Sequence, residues 1–197
     1  MIFDYPQSRT ARRHGPIGYR AYGRYRPWLR DEFAFRCAYC LKREAWGQVT
    51  FDFEIDHFQP VSIVPSRKLD YSNLVYSCHS CNKRKRATKT GDPFILLTSD
   101  KVRMLSDGAL RAADHEAEKL IEVLDLNSER HKDFRLLWSR IERLASQNDR
   151  DLWEIIVGFP SDLPDLSQEK VRSNSRPKGI QESWFARRQR GMLPASY

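Results

Sequence analysis

The chain has 197 residues, of which 40% are hydrophobic and 30% are charged. That length allows one hydrophobic core of moderate size with an appendage, and the formal net charge of +8 favours a polyanionic partner over an acidic one. No apolar run reaches the length of a membrane span or a signal peptide, so we expect a cytoplasmic protein with reduced cysteines and no membrane partner.

Residues 1–26 form a basic arm that is punctuated by glycine and proline. Residues 1–30 contain one acidic residue, Asp4, and seven arginines: Arg9, Arg12, Arg13, Arg20, Arg24, Arg26 and Arg30. Three tyrosines, at positions 19, 22 and 25, lie among these charges. Such a segment either follows a phosphate backbone and stacks on bases or is a disordered basic tail, and the sequence leaves both open.

Residues 27–92 alternate short elements with loops. Pro27 and the spacing of the apolar residues after it predict a short helix that ends near residue 36. The alternation over residues 49–55 predicts a strand, the prolines and turn residues of 59–73 a loop, and 74–76 a second strand. A cysteine knuckle at residue 78 then leads into a basic helix.

The periodicity changes after residue 92. Apolar residues at helical spacing predict one amphipathic helix over 113–124, a second over 134–144 and a short third over 151–159. We therefore assign residues 93–159 to a helical extension. Residues 160–197 are polar and contain prolines, which predicts a loosely packed tail.

The four cysteines of the chain form two pairs, Cys37 with Cys40 and Cys78 with Cys81, and 37 residues separate the pairs. A gap of two residues lets both thiolates of a knuckle face one tetrahedral ion, so two knuckles predict a closed four-cysteine site for a structural zinc. Four ordinary buried cysteines are the alternative. His79 lies inside the second knuckle and could compete as a ligand, but we expect it to face solvent or phosphate.

Four polar residues stand out around these knuckles. Asp56 and His57 are adjacent between the two pairs, Asn73 follows sixteen residues after His57, and Asn82 comes directly after Cys81. Taken singly, an Asp-His pair is commonly a surface pair and an asparagine a turn residue. Their combination with the paired cysteines favours a catalytic site over these ordinary roles.

The order Cys-x2-Cys, Asp-His, Asn, Cys-x2-Cys-Asn-x-x-Lys over residues 37–86 resembles the HNH nucleases of the ββα-metal fold. The resemblance implies that Asp56 and Asn82 ligate a catalytic divalent ion, that His57 is the general base, and that Asn73 holds the loop that carries His57. It also implies DNA as the substrate and ends that carry a 5′-phosphate and a 3′-hydroxyl. We therefore expect an α+β protein, with a ββα-metal (HNH) module on a four-cysteine zinc frame and a C-terminal helical extension.

The residue types agree with those roles. A neutral imidazole can take a proton from water near neutral pH, and a hard cation stabilises negative charge on a phosphate. Adjacent residues on a regular strand face opposite sides, so Asp56 and His57 share a site only where the strand distorts, as Pro60 favours. Many HNH nucleases have a histidine where this chain has Asn82. The neutral amide of Asn82 favours Mg²⁺ or Mn²⁺ over softer ions.

A basic run follows Asn82 directly: Lys83, Arg84, Lys85 and Arg86, with Lys89 beyond it. On a helix these side chains would project along a phosphate backbone, although such a run is also typical of a solvated surface or a nuclear-localisation signal. The rival to a nuclease is a zinc-containing module that binds nucleic acid without cutting it. Such a module would not need Asp56, His57 and Asn82.

Residues 113–140 are similar to the helical extension of HNH proteins that accompany an ATPase in retron and Septu-type antiphage systems. A generic helical pair that caps the nuclease module explains the same residues. The resemblance implies an ATPase partner and a role in antiviral defence.

Overall fold

The computed structural model describes residues 2–46 and 53–197. Most of the strand that the sequence predicts over residues 49–55 lies outside the described residues. The described strands form three separate two-stranded sheets, and helices follow or cover each of them. The outcome is the mixed α+β architecture that the sequence predicts.

Six strands are present in the described residues: β1 Pro16–Ile17, β2 Phe53–His57, β3 Leu74–Cys78, β4 Val102–Met104, β5 Leu110–Ala112 and β6 Ser173–Asn174. The helices of the same residues are α1 Arg26–Glu32, α2 His79–Lys85, α3 Pro93–Leu96, α4 His115–Val123, α5 Glu129–Asn148, α6 Arg150–Val157, α7 Lys178–Gln181 and α8 Trp184–Gln189.

Strands β2 and β3 and helix α2 form a ββα unit. The two strands pair antiparallel, with Phe53 opposite Cys78 and His57 opposite Leu74. All five residues of β3 are buried, because α1 packs on this strand and α2 follows it without an intervening loop. The unit therefore holds the end of β2, the end of β3 and the first turn of α2 close together.

The core of the molecule continues from this unit into the helical extension. Trp28 and Leu29 of α1 are fully buried beside β3. Trp46 stacks on Trp138 of α5 with ring centroids 4.5 Å apart, and its indole Nε1 donates to the carbonyl of Ile156 in α6. Aromatic packing thus joins the ββα unit to α5 and α6.

After α3, the helical extension contains a hairpin that the sequence did not predict. Strands β4 and β5 pair antiparallel, and α4 packs on β5. The side chain of Asn127 pairs with both backbone polar groups of Leu110, and buried Arg135 donates to the carbonyls of Gly108 and Leu126. The three predicted helices are confirmed as α4, α5 and α6.

The structure differs from the sequence expectation at both ends of the chain. Phe3, Tyr5 and Tyr25 of the expected arm are buried, and β1 of the arm pairs with β6 of the expected tail. Asp31 is fully buried and accepts hydrogen bonds from both ends, at its Oδ1 from His14 and at its Oδ2 from the backbone of Trp184. Both ends therefore belong to the packed fold.

None of the described helices is both long enough and apolar enough to cross a membrane.

Candidate active site

The four cysteines lie together at the base of the ββα unit. Cys37 and Cys40 come from a tight loop that follows α1, Cys78 ends β3, and Cys81 lies in the first turn of α2. Their Sγ atoms all lie within 4.8 Å of one another, and all four residues are buried and free of disulfides. The cluster is therefore a possible zinc site.

The donor set and its spacing fit a zinc ion. A tetrahedral ion with Zn–S bonds of about 2.3 Å separates its sulfurs by about 3.8 Å. The Sγ atoms of Cys40 and Cys78 are 3.7 Å apart. A four-thiolate site has no open coordination position, so a zinc ion bound there would hold the knuckles together.

Asp56 lies on β2 beside this cluster, and both of its carboxylate oxygens have partners. The hydroxyl of Tyr39, a residue of the first knuckle, donates to Oδ2 at 2.5 Å, and Lys85 Nζ lies 3.0 Å from Oδ1. Burial, followed by the neighbouring charge of Asp56, raises the pKa of Tyr39 well above its ordinary value, so the hydroxyl keeps its proton and donates. The first knuckle thus directly orients the Asp56 carboxylate.

Lys85 is the point at which the structure departs from the expected basic surface. The side chain was expected to lie along DNA with its neighbours, but it is 1% exposed. Its ammonium group donates to Asp56 Oδ1, to the His57 carbonyl at 2.9 Å and to the Arg86 carbonyl at 3.4 Å. Lys85 follows Cys81 by one helical turn, so it faces the strands as Cys81 does.

His57 ends β2 and is partly exposed. Its Nε2 lies 2.9 Å from the carbonyl oxygen of Lys68. A carbonyl oxygen only accepts, so Nε2 carries the proton and Nδ1 is the basic nitrogen of the neutral ring. The edge of the exposed Tyr22 ring meets the His57 ring, with centroids 4.9 Å apart.

Asn73 is fully buried at the other end of the loop that follows His57. Its Oδ1 accepts from the backbone N–H of Gln59 at 3.0 Å, and its Nδ2 donates to the carbonyls of Gln59 and Arg67 at 3.0 and 3.3 Å. Three hydrogen bonds therefore tie the start of this loop to its end. Lys68, the partner of His57, lies within the same loop.

Asn82 lies on α2, and its side-chain partner is Glu54. The Nδ2 of Asn82 donates to Glu54 Oε2, and His79 Nδ1 lies 2.8 Å from Glu54 Oε1. Burial alone would raise the pKa of Glu54, but the hydrogen bonds from His79 and Asn82 lower it below the ordinary value. The structure does not bring Asp56 and Asn82 into direct contact.

The remaining basic residues of the run are exposed. Lys83, Arg84, Arg86 and Lys89 all lie on the surface at or just beyond α2. Arg84 pairs with Asp125 at 2.8 Å, and both side chains are largely exposed. Among the residues that the structure describes, Lys83 and Arg86 are therefore the unpaired basic residues nearest to Asn82 in the sequence.

Two residues near the site, Glu54 and Tyr39, escaped the sequence reasoning, and Tyr22 was expected only as a stacking residue of the basic arm. A signal for Glu54 was present, because strand alternation puts it on the same face of β2 as Asp56. No spacing rule relates Tyr22 or Tyr39 to the Asp-His pair, since both come from separate segments that tertiary packing brings to β2.

Two comparisons with known proteins bear on this geometry. A search of curated proteins finds no match. The family model described as HNH endonuclease matches residues 37–88. That span begins at the first cysteine of the zinc frame and ends just past α2. The chain therefore carries an HNH endonuclease domain over residues 37–88.

Proposed function

We propose that the protein is a divalent-metal-dependent endonuclease that hydrolyses phosphodiester bonds in DNA. The observation that carries the proposal is the environment of His57 at the end of β2. Its Nε2 is fixed on the Lys68 carbonyl, so the ring presents a basic Nδ1 from a partly exposed position. A zinc-containing binding module has no need for an imidazole held in one tautomer.

In this proposal His57 is the general base. Its Nδ1 takes a proton from a water molecule, the water oxygen attacks phosphorus in line, and the bond from phosphorus to the 3′ oxygen breaks. The departing 3′ oxygen leaves with the bonding electron pair and takes a proton from solvent. The products carry a 5′-phosphate and a 3′-hydroxyl. Asn73 acts as a positioning residue, because its bonds to Gln59 and Arg67 set the loop that holds Nε2 of His57.

Asp56 and Asn82 would hold the divalent ion, with Glu54 next to Asn82 as a third oxygen donor. Carboxylate and amide oxygens are the ligands that Mg²⁺ and Mn²⁺ prefer, so the donor chemistry fits. Bound there, the ion supplies Lewis-acid stabilisation of charge on the phosphate and on the departing oxygen. Asp56 Oδ1 already accepts from Lys85, so an ion held by Asp56 would share this carboxylate with the ammonium group.

The charge around the site supports a nucleic-acid substrate. Lys83 and Arg86 extend from α2 beside Asn82, and Arg20 and Arg24 are exposed on either side of Tyr22. Because Tyr22 contacts His57, the exposed Arg20 and Arg24 that flank Tyr22 in the sequence lie near the site. Phosphate contacts from both segments would position a DNA backbone across His57.

Supercoiled plasmid incubated with the protein and Mg²⁺, Mn²⁺, Ni²⁺ or Zn²⁺ tests this proposal. We expect conversion to nicked or linear DNA with Mg²⁺ or Mn²⁺, none with excess EDTA, and ends that a ligase can reseal. DNA that is retarded in a gel but never cut with any of the four ions would support the binding module instead.

We further propose that the nuclease is a cytoplasmic effector of an antiphage system and works with an ATPase. What supports this is the resemblance of residues 113–140 to such effectors, together with exposed apolar side chains on α5 and α6, among them Leu137, Leu144 and Ile155. The test is plaque formation on cells that express the chain with a neighbouring ATPase gene. Protection that needs both genes and an intact His57 supports the proposal, and unchanged plaque numbers contradict it.

A further inference from the structure

A cavity of about 410 Å³ lies next to the first cysteine knuckle, with Cys37 among its lining residues. Its walls come from the N-terminal segment, the end of α1, the first cysteine knuckle, α3 and the C-terminal residues. None of its lining residues belongs to β2 or α2. Cavities of this size are typical of small-ligand sites. Nothing in the proposed nuclease mechanism uses it.

Three arginines line the cavity: Arg9, Arg13 and Arg36. Arg13 pairs with Asp31, whose Oδ1 lies 3.2 Å from its guanidinium group, although the Nε of Arg13 is buried without a hydrogen-bond partner. Among residues 2–46 and 53–197, neither Arg9 nor Arg36 has a side-chain hydrogen-bond partner or an ion-pair partner, and the Nε of Arg36 is buried without one. Two arginines without a side-chain partner among the described residues thus line the same open cavity.

The side-chain carboxylate of Glu32 lies on the cavity wall, and both of its oxygens already accept hydrogen bonds. Its two oxygens accept from the backbone N–H groups of Arg13 and His14, both at 2.9 Å. Partial burial and the nearby charge of Arg13 lower the pKa of Arg9 from its ordinary value. The side chains that line the cavity therefore include three arginines and one carboxylate, which leaves an excess of positive charge on its wall.

Aromatic rings form much of the remaining wall. Phe33, Phe94, Trp184 and Tyr197 all line the cavity. The guanidinium of Arg13 lies 5.0 Å from the centre of the Trp184 ring, so a cation–π contact is already present on this wall. A flat ring can stack on such a wall, whereas an extended aliphatic anion would gain little from it.

We propose that this cavity binds a small planar anion of mononucleotide size, with its phosphate against Arg9 and Arg36 and its ring against the aromatic wall. Guanidinium groups bind phosphate oxygens with charge-assisted hydrogen bonds, and aromatic faces accept any base. The site is separate from the nuclease site, so the ligand is neither substrate nor product held at His57.

Titration calorimetry of the full chain with adenosine 5′-monophosphate, without divalent metal, tests the proposal. Adenosine and inorganic phosphate are the two partial probes. We expect the nucleotide to bind at least tenfold more tightly than either, because each partial probe lacks one of the two contacts. Phosphate that binds as tightly as the nucleotide would overturn the role of the ring, and adenosine that does so would overturn the role of the arginines.

Variants locate the binding. Arg36→Gln should weaken nucleotide binding about tenfold or more through loss of a charge-assisted bond. Arg9→Gln provides a second variant at an exposed position, where folding is not at stake. The matched control is Lys83→Gln with Arg86→Gln on the proposed DNA surface, which should leave nucleotide affinity unchanged.

No nucleotide binding by the wild-type chain at millimolar concentration would overturn the proposal. So would affinity that is unchanged in both arginine variants, or affinity that is lost in the Lys83 and Arg86 control. None of these results bears on plasmid cleavage, so the nuclease proposal stands or falls separately.

Discussion

The surroundings of Asp56 determine how its carboxylate is oriented and stabilised. The carboxylate is 5% exposed and lies between the hydroxyl of Tyr39 and the ammonium of Lys85. A buried charge is tolerated only when it is paired and hydrogen-bonded, so these two partners keep Asp56 in place. Lys85 therefore belongs to the interior of the HNH domain and not to its DNA-facing surface.

Replacing Lys85 by Met should lower the free energy of unfolding by about 3–5 kcal/mol, because it leaves the buried Asp56 charge without its partner. Lys83→Met, at an exposed position of the same helix, is the matched control and should change it by less than about 0.5 kcal/mol. Urea unfolding followed by circular dichroism measures both. Equal, small effects of the two variants would contradict the buried ion pair.

At the scale of the element, the sequence predicted β3, α2 and the two knuckles well. The strand predicted over 49–55 shares only residues 53–55 with β2, and the rest of it lies outside the described residues. Two-residue knuckle gaps and the alternation of β2 are local patterns, and local patterns are visible in a sequence. The β4–β5 hairpin was missed because its three-residue strands are too short to show a period. The pairing of Asn82 with Glu54 was missed because it depends on how α2 packs against β2.

The zinc frame makes a testable element-scale prediction. Cys78→Ser should yield insoluble or unfolded protein, because metal binding supplies folding free energy in small zinc-containing modules. Ser80→Ala lies two residues further along α2, is exposed, and should fold as the parent does. Elemental analysis of the purified parent should find about one zinc per chain. A soluble, folded Cys78→Ser protein would refute the zinc assignment.

Helix α2 makes a second element-scale prediction, about DNA binding. Lys83→Gln combined with Arg86→Gln should reduce the slope of log affinity against log salt by about 1.8, because each phosphate contact contributes about 0.9. Arg140→Gln with Arg143→Gln, two exposed positions on α5, should leave the slope unchanged. Fluorescence anisotropy with a labelled duplex measures it. The same slope in both double variants would remove α2 from the DNA-binding surface.

At the scale of the whole molecule, the ends of the chain were the least predictable part. Their many arginines and prolines are typical of disordered segments, yet residues near both ends pack on α1. Arg12 is buried, and its guanidinium donates to the carbonyls of Tyr71 and Leu74. Tyr5 also donates to the Tyr39 carbonyl in the first knuckle at 2.6 Å. Such long-range contacts leave no periodic trace in the sequence.

Asp31 tests whether the two ends stabilise the fold together. Asp31→Ala should lower the free energy of unfolding by about 3–5 kcal/mol, because His14, Arg13 and the Trp184 backbone lose a shared buried partner. Asp162→Ala removes an exposed ion pair with Arg30 and should cost about 1 kcal/mol or less. Urea unfolding compares the two. An Asp31→Ala protein as stable as Asp162→Ala would show that the ends contribute little.

The most direct test of the nuclease account is His57→Ala in the plasmid assay, with DNA affinity measured on the same preparation. Loss of a general base costs about 10²–10⁴ in rate, so cleavage with Mg²⁺ or Mn²⁺ should fall by that factor while affinity for DNA stays within about twofold. His115→Ala, an exposed histidine at the start of α4, is the matched control and should cut as the parent does. If His57→Ala cuts as fast as His115→Ala, His57 is not the base and the proposed mechanism is wrong.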